Sequence, residues 1–535
     1  MSRNPVVLIG IDGATFDILD PLMDQGIMPV LQGMIDGGVR AQLDSVVPPL
    51  TPPAWVTLMT GRSPGHHGVL DFFTPSAPGS RHLRTLTSHH VTAEYLWQIA
   101  SRAGCTVTAL NYPYMTPPRP LNGYSLSGWI PWRHLRRGSY PAELFDEIKG
   151  LLGFGAHDMG MDLKIEAKCI DGCDPAEYLD WIDLHLRRER NWMDTLRYLR
   201  QKDPTDFIAV LFDGTDKLQH LCWRHVDPAY AASLSPADQQ IHKRSLELYR
   251  QLDGFIAEII AMAGPSATVV IASDHGFGPT VETFYLNAWL HAHGYLAWAE
   301  NPPTDEAGEG RIGLEALSRL SFMLDWSRTT AHAVTSSSNG IRIRMRREPG
   351  DGGIAPEEYD GFRARLADEL LGWEDPATGT PVVTRVWRRE EIFDGPHLAE
   401  APDLTLRLRD YGFASILNSD RLVRPRPYVM GTHRPDGVFV ACGPGLRRGH
   451  RVEGSLSLLD VAPLLLYALD IPVPADLERP VPAQLFDPAW LEQHPVKVGA
   501  PTEPVRPLQS AARSTEDLEG EQEVLERLRA LGYVE

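Results

Sequence analysis

The chain reads as an α/β protein, specifically an α/β/α sandwich around a mostly parallel sheet with an inserted cap region. Three observations predict this. First, short runs rich in Val, Ile and Leu recur and end in a polar residue, at 6–12, 106–111, 207–213, 268–274 and 438–442. Each is continuously apolar, as strands buried on both faces of a largely parallel sheet are. Second, helical patterns lie between them. Within 245–260, Leu248, Leu252, Phe255, Ile256 and Ile259 repeat at helical spacing, and strands alternating with helices make a helix-covered sheet. Third, the texture changes between residues 301 and 402. Pro302-Pro303 and the Glu/Gly-rich 305–311 read as a loop leaving the sheet. Residues 341–345 alternate like an edge strand, and 355–373 form a charged amphipathic helix.

A chain of 535 residues exceeds one ordinary core. The expected division is a first core part over 1–300, a cap over 301–402, a second core part over 403–486, and a Pro-rich arm with a C-terminal helix over 487–535. In 460–469 a further helix follows the 438–442 strand. Val524, Leu528 and Leu531 share one helical stripe near the end. That stripe is expected to dock on the main domain or on a second copy, which would make a homo-oligomer. Hydrophobic residues at 43% and charged residues at 23% are globular values and exclude disorder for most of the chain. A net charge of −19 argues against nucleic-acid polymers and anionic membranes as partners. No run approaches the roughly 20 apolar residues of a membrane span. The N-terminus passes directly into the first strand, so a cytoplasmic location is expected. Cys105, Cys169, Cys173, Cys222 and Cys442 are odd in number and scattered, which reads as reduced thiols. Cys169 and Cys173 have no second pair at zinc-site spacing.

Five elements carry chemistry. Asp12 ends the first buried strand, where open α/β sheets gather ligands. Thr51 has the signature of a helix N-cap: Pro52 follows it and Gly61 stands at the far end. A hydroxyl there lies in positive potential, which favours alkoxide and phosphate. Pro52 and Pro53 lack amide hydrogens, so a phosphate at this helix start needs other positive charge. Asp216 and His220 are four residues apart and share a helical face, a spacing that suits one metal. Asp274 and His275 follow a strand and precede a Gly-Phe-Gly turn. His433 sits in a turn-rich stretch before the last strand, where function is commoner than packing. Carboxylate and imidazole donors without thiolates suit Zn²⁺, with Mn²⁺ as the harder alternative.

In this order, together with Thr60-Gly61-Arg62-Ser63-Pro64-Gly65-His66-His67-Gly68-Val69, these motifs resemble the alkaline phosphatase superfamily. The branch they are most similar to is the type I phosphodiesterase/nucleotide pyrophosphatase group. The resemblance spans the motifs from Val6 to Pro463. It implies a metal-dependent phosphohydrolase with two divalent ions. One ion would take Asp12, Thr51, Asp274 and His275, and the other Asp216, His220 and His433. Thr51 would attack phosphorus in line and form a phosphothreonine that water then hydrolyses. His66 and His67 would support the loop and stay outside the site. Monoesterases and phosphomutases of the same superfamily, and a metal-binding scaffold without catalysis, are the alternatives.

Two departures bear on substrate. Nucleotide pyrophosphatases carry a phosphate-binding Asn where Phe72 stands, and a Phe-Pro-Asn-like stretch where Pro52-Pro53-Ala54 stands. Thr51-Pro52-Pro53-Ala54-Trp55 also lacks the Cys/Ser and Arg of a sulfatase site. Phe72 and Trp55 are expected as an apolar wall, which favours a phosphodiester's organic group over a bare phosphate oxygen. Arg62 is expected to point away and Arg434 to be the one cation able to reach phosphate. Trp129, Trp132, Arg133, Arg136 and Arg137 could stack a base or bind an anion; core tryptophans beside a solvated basic helix start are the plainer reading. A small-molecule phosphate ester is the expected partner.

Overall fold

The computed structural model describes residues 3–75, 83–160, 175–300, 323–333, 335, 337–348, 352–412 and 414–505. The expected C-terminal helix, the loop 305–311, Cys169 and Cys173 lie outside the described residues.

In chain order the elements that place the site begin with β1 (Val6–Ile11), β2 (Val39–Asp44), α1 (Thr51–Thr60), α2 (Pro64–His67), β3 (Val107–Leu110), β4 (Gly123–Leu126) and β5 (Ser139–Tyr140). Next come α3 (Pro175–Lys202), β6 (Phe207–Phe212), α4 (Gly214–Val226), α5 (Pro236–Ala263), β7 (Thr268–Ala272) and β8 (Gly276–Tyr285). They continue with β9 (Ala331–Ala333), β10 (Gly340–Ile343), α6 (Tyr359–Leu371), β11 (Val383–Arg388), β12 (Leu404–Leu408) and β13 (Ala414–Ser415). The last are β14 (Val423–Arg434), β15 (Asp436–Cys442), β16 (His450–Ser457) and α7 (Val461–Ala468).

A nine-stranded sheet in the order β16-β2-β15-β7-β1-β6-β3-β4-β5 forms the centre. It is mostly parallel: β1 pairs in parallel with β6 and β7, and β3 with β4 and β6. β1 shows why the sheet is covered on both sides. Its alternate residues Val7, Ile9 and Ile11 pack into a cluster with Trp181 of α3 and Ile256 of α5. Val6 and Leu8 pack into another with Trp55 of α1 and Leu464 of α7. Period-two alternation thus feeds both helical layers, and each fully buried aliphatic side chain contributes about 1.5–3 kcal/mol. The result is the α/β/α sandwich.

The 438–442 run differs in direction from the parallel expectation. It forms β15, antiparallel to both β2 and β7. Only Pro435 separates it from β14. The chain therefore enters the sheet at the edge where β14 ends and runs back, since a parallel entry needs a long crossover.

Two smaller sheets flank the centre: β13-β8-β14, and β9-β10-β12-β11. The expected edge strand 341–345 is instead β10, an inner strand bonded to β9 on one side and β12 on the other. Ile341 and Ile343 are buried there beside Leu366 and Leu370 of α6. That double pairing is tertiary and leaves no mark in the run itself. Beyond residue 487 the polar segment carries the short helix Pro488–Gln493, and Val498–Gly499 pairs with Val473–Pro474. Among the described residues no helix is long and apolar enough to cross a membrane.

Candidate metal centre

β2, β1, β6 and β7 run in one direction, so their carboxyl ends share an edge. Asp12 follows β1, Asp216 lies in the helix after β6, Asp274 and His275 follow β7, and Thr51 follows the loop after β2. This is the edge where ligands collect in such sheets.

One cluster contains Asp12, Asp274 and His275. His275 Nδ1 lies 3.0 Å from the Gly276 carbonyl, which can only accept. Nδ1 therefore holds the proton and Nε2 presents a lone pair. That Nε2 is 3.1 Å from Asp274 Oδ2, 3.7 Å from Asp12 Oδ1 and 3.0 Å from Thr51 Oγ1. The Thr51 hydroxyl donates to it and is thereby aimed into the cluster. The other Asp274 oxygen, Oδ1, accepts from the Gly13 amide at 3.1 Å.

The second cluster is Asp216, His220 and His433. Asp216 and His220 stand one turn apart on α4. His433 Nδ1 donates to the Pro49 carbonyl at 2.9 Å, which again leaves Nε2 facing inward. It lies 3.0 Å from His220 Nε2 and 3.3 Å from Asp216 Oδ1. Gly431 makes this approach possible: a Cβ there would stand 2.3 Å from the Gln219 carbonyl oxygen, so only glycine lets β14 lie against α4. The rings of His275 and His433 stack at 3.6 Å and join the two clusters. All seven residues singled out from sequence are buried, His220 being the most exposed at 6%.

Two positions differ from expectation. Thr51 is the first helical residue and Leu50 occupies the N-cap. Because Pro52 and Pro53 offer no amide, the first helical bond runs from Ala54 N to Leu50 O at 3.1 Å, one residue earlier than a Thr51 cap would allow. His433 is in strand β14, opposite Phe277, and not in a loop. The glycines and proline around it read as a turn, but they serve close backbone approach.

The donor set fits divalent cations. Asp12 Oδ1 and Asp274 Oδ2 are buried and make no hydrogen bond among the described residues. With the His275 lone pair they are acceptors turned towards one another, an arrangement costly without a cation. Burial, then the charges of Asp274 and Asp216, push the Asp12 carboxyl well above the usual carboxylate range. Burial and the Asp216 charge do the same to Asp274. Burial also acts on Asp216, but His220 and His433 outweigh it and hold that carboxyl below its usual value. Burial, then the neighbouring His433, drives the His275 pKa well down, so the ring is neutral and able to ligate.

Sequence reasoning missed several neighbours. Lys217 is buried and paired with Asp213, the N-cap of α4 four residues earlier, and its charge lowers the Asp12 pKa slightly. The i,i+4 spacing was the available signal. Glu189 of α3 accepts from the Gly214 amide at 2.7 Å, and burial raises its pKa to about 7. No pattern in the sequence joins residues on two different helices in this way. The apolar-wall expectation does not hold. Trp55 is fully buried with its indole N–H 3.2 Å from Asp12 Oδ2, and Phe72 is fully buried against Trp129 at 6.1 Å. Arg62 points away, bound to Asp476 and Glu478. Arg434 follows His433 on the strand and faces oppositely, donating to the Pro279 carbonyl at 2.6 Å beside Tyr411. In the basic segment Trp132–Gly138, Arg136 pairs with the half-exposed Asp146.

Residues 6–436 match the profile of the family described as type I phosphodiesterase / nucleotide pyrophosphatase. Among solved structures, phosphonoacetate hydrolase from Sinorhizobium meliloti 1021, in complex with phosphonoformate, is 14% identical with a TM-score of 0.54. The match covers 88% of this chain and 95% of that one. Murine ectonucleotide pyrophosphatase / phosphodiesterase 5, in an inactive form with AMP, is 14% identical with a TM-score of 0.51. That match covers 88% of this chain and 96% of the other. These likenesses establish the fold. No curated protein matches the chain.

Proposed function

We propose a mechanism for this chain, which belongs to the type I phosphodiesterase / nucleotide pyrophosphatase family and is a metal-dependent hydrolase acting on phosphate-ester bonds. It cleaves small phosphodiesters through a phosphothreonine at Thr51. The observation that carries this reading is the placement of the Thr51 hydroxyl 3.0 Å from His275 Nε2, within one of two buried Asp/His clusters.

Asp12, Asp274, His275 and the Thr51 oxygen would hold one divalent ion, and Asp216, His220 and His433 the other; Zn²⁺ suits these donors, with Mn²⁺ as the alternative. When bound, the ions supply positive charge to the phosphoryl oxygens and lower the pKa of the hydroxyl. The protein does the rest. The packed helix α1 holds Thr51 Oγ1, 3.0 Å from His275 Nε2, where phosphorus must arrive. Attack forms the Thr51–phosphate ester bond and expels the first alcohol, which leaves with a proton. Water then attacks the same phosphorus, releases the monoester and restores the hydroxyl.

Diester preference follows from charge. A monoester brings one more negative charge, and three cations close in sequence to the ligands or the nucleophile are turned to other partners: Lys217 to Asp213, Arg62 to Asp476, Arg434 to the Pro279 carbonyl. A net charge of −19 supports a small substrate over a nucleic-acid polymer. The free thiols of Cys105, Cys222 and Cys442 support a cytoplasmic setting. The test compares kcat/KM on bis-p-nitrophenyl phosphate, p-nitrophenyl phosphate and p-nitrophenyl sulfate, corrected for intrinsic reactivity. The diester should lead, and chelation should abolish all turnover until metal is restored. A corrected preference for the monoester rejects the diesterase assignment, and full activity after chelation rejects the mechanism.

A further inference from the structure

We infer that Trp55 is a positioning residue for the Asp12 ligand, so that the helix carrying the nucleophile also sets the geometry of the metal cluster beside it. The inference rests on the metal-dependent reading above. Trp55 is four residues beyond Thr51 on α1, on the same helical face. Its indole N–H donates to Asp12 Oδ2 at 3.2 Å. Asp12 Oδ1 is the oxygen left without a hydrogen bond among the described residues, and it faces His275 Nε2 at 3.7 Å. Indole is donor-only and cannot ligate. It therefore occupies one carboxylate oxygen and presents the other, which makes Asp12 a one-oxygen ligand of fixed orientation.

A buried tryptophan usually finds an acceptor, and a backbone carbonyl would serve. Here the surroundings are arranged to bring the ring to the carboxylate. Gly10 precedes Asp12 by two residues and lies, with Val6 and Leu8, on the face of β1 that meets α1. A Cβ at Gly10 would stand 2.8 Å from Trp55 Cη2, so the strand gives up a side chain where the indole crosses it. Tyr112 closes the other side edge-on, at 5.4 Å and 82°. Trp55, Gly10 and Tyr112 thus clamp one rotamer of a fully buried ring. Hydrogen bonds of this kind to ligating carboxylates are worth about 10–100-fold in metal affinity.

The experiment titrates metal-free wild type, Trp55→Phe and Tyr112→Phe with Co²⁺, following the visible absorption of the ion, with Zn²⁺ competition by calorimetry. Tyr112→Phe removes only the phenol hydroxyl from the same packed layer, keeping the ring that closes on Trp55 and the indole bond to Asp12. Wild type should bind two ions. Trp55→Phe should weaken one of them about 10–100-fold, alter its Co²⁺ spectrum and leave the other unchanged, while Tyr112→Phe matches wild type. Unchanged affinities in Trp55→Phe, or the same loss in Tyr112→Phe, overturn the inference in favour of plain core packing. Should Trp55→Phe fail to fold, Gly10→Ala must reproduce the one-site loss by displacing the ring, and its failure to do so is equally fatal. A wild type that takes up no Co²⁺ overturns the metal-dependent reading itself, an outcome distinct from the others.

Discussion

His67 offers a direct test of how α1 is held. It is fully buried in the short helix α2, with Nε2 3.0 Å from Thr57 Oγ1 of α1 and Nδ1 accepting from the Val69 amide at 3.1 Å. Burial is the largest cause of a pKa lowered from 6.5 to about 3, with the nearby His397 and His66 adding to it. The unfolded chain therefore takes up a proton near pH 6.5 that the folded chain refuses until about pH 3. His67 thus contributes stability that is present above its unfolded pKa and lost as pH falls through the window between those values. About 3.5 units at about 1.4 kcal/mol each gives roughly 5 kcal/mol over the whole window, and about 3 kcal/mol by pH ~4.5. The perturbation is His67→Gln, which keeps an amide donor and acceptor but cannot titrate. Urea unfolding of both metal-free proteins is measured at pH ~7 and pH ~4.5. Other carboxylates and histidines titrate alike in the two, so the difference of differences isolates His67. Wild type should lose about 3 kcal/mol more than the variant between the two pH values. Parallel losses would mean that His67 is already protonated in the fold and that its ring does not brace α1 as a neutral group.

Three further outcomes are expected. Thr51→Ala should lower turnover by about three orders of magnitude or more while circular dichroism and fold are kept, and Thr51→Ser should retain part of the rate; near-normal rates in the alanine variant would leave Thr51 a packing residue. Elemental analysis of protein purified without chelator should find two divalent ions per chain, and their removal should cost about 4 kcal/mol of stability per ion, about 8 kcal/mol for both, at metal concentrations about 1,000 times Kd, read as a lower urea midpoint; an unchanged midpoint would detach metal from the buried clusters. Gly65→Ala would place a Cβ 1.7 Å from the Asp394 carbonyl oxygen, so the contact between α2 and the 394–397 segment should open at a cost of about 1–3 kcal/mol or more, detected as a lower thermal midpoint.

Much of the core was legible in the sequence because burial on both faces leaves an unbroken signal. The runs at β1, β6 and β7 are almost wholly apolar and stop at or just before an acid, so strand positions and the acids at their ends could be read directly. Asp216 and His220 were legible for a similar reason, since helical period alone puts them on one face. The structure brings these residues together with Thr51, Asp274, His275 and His433, as the order of motifs implied.

Tertiary structure decided what local period cannot encode. His433 meets Asp216 across 217 positions of chain because β14 lies against α4, and the glycine that permits it reads as a turn in isolation. The inner place of β10 and the antiparallel run of β15 depend on which strands arrive beside them. Trp55 and Phe72 look like a substrate wall in sequence, because an apolar ring carries no mark of whether it faces a cleft or a core. In the fold both are fully buried, and Trp55 is tied to Asp12. The residue types determined which chemistry the chain can perform, since carboxylate, imidazole and hydroxyl donors gather at the strand ends that meet here. The way Thr51, His275 and His433 meet arises from long-range packing, because Thr51 faces His275 and His433 faces Pro49 and Asp216 across hundreds of residues of chain.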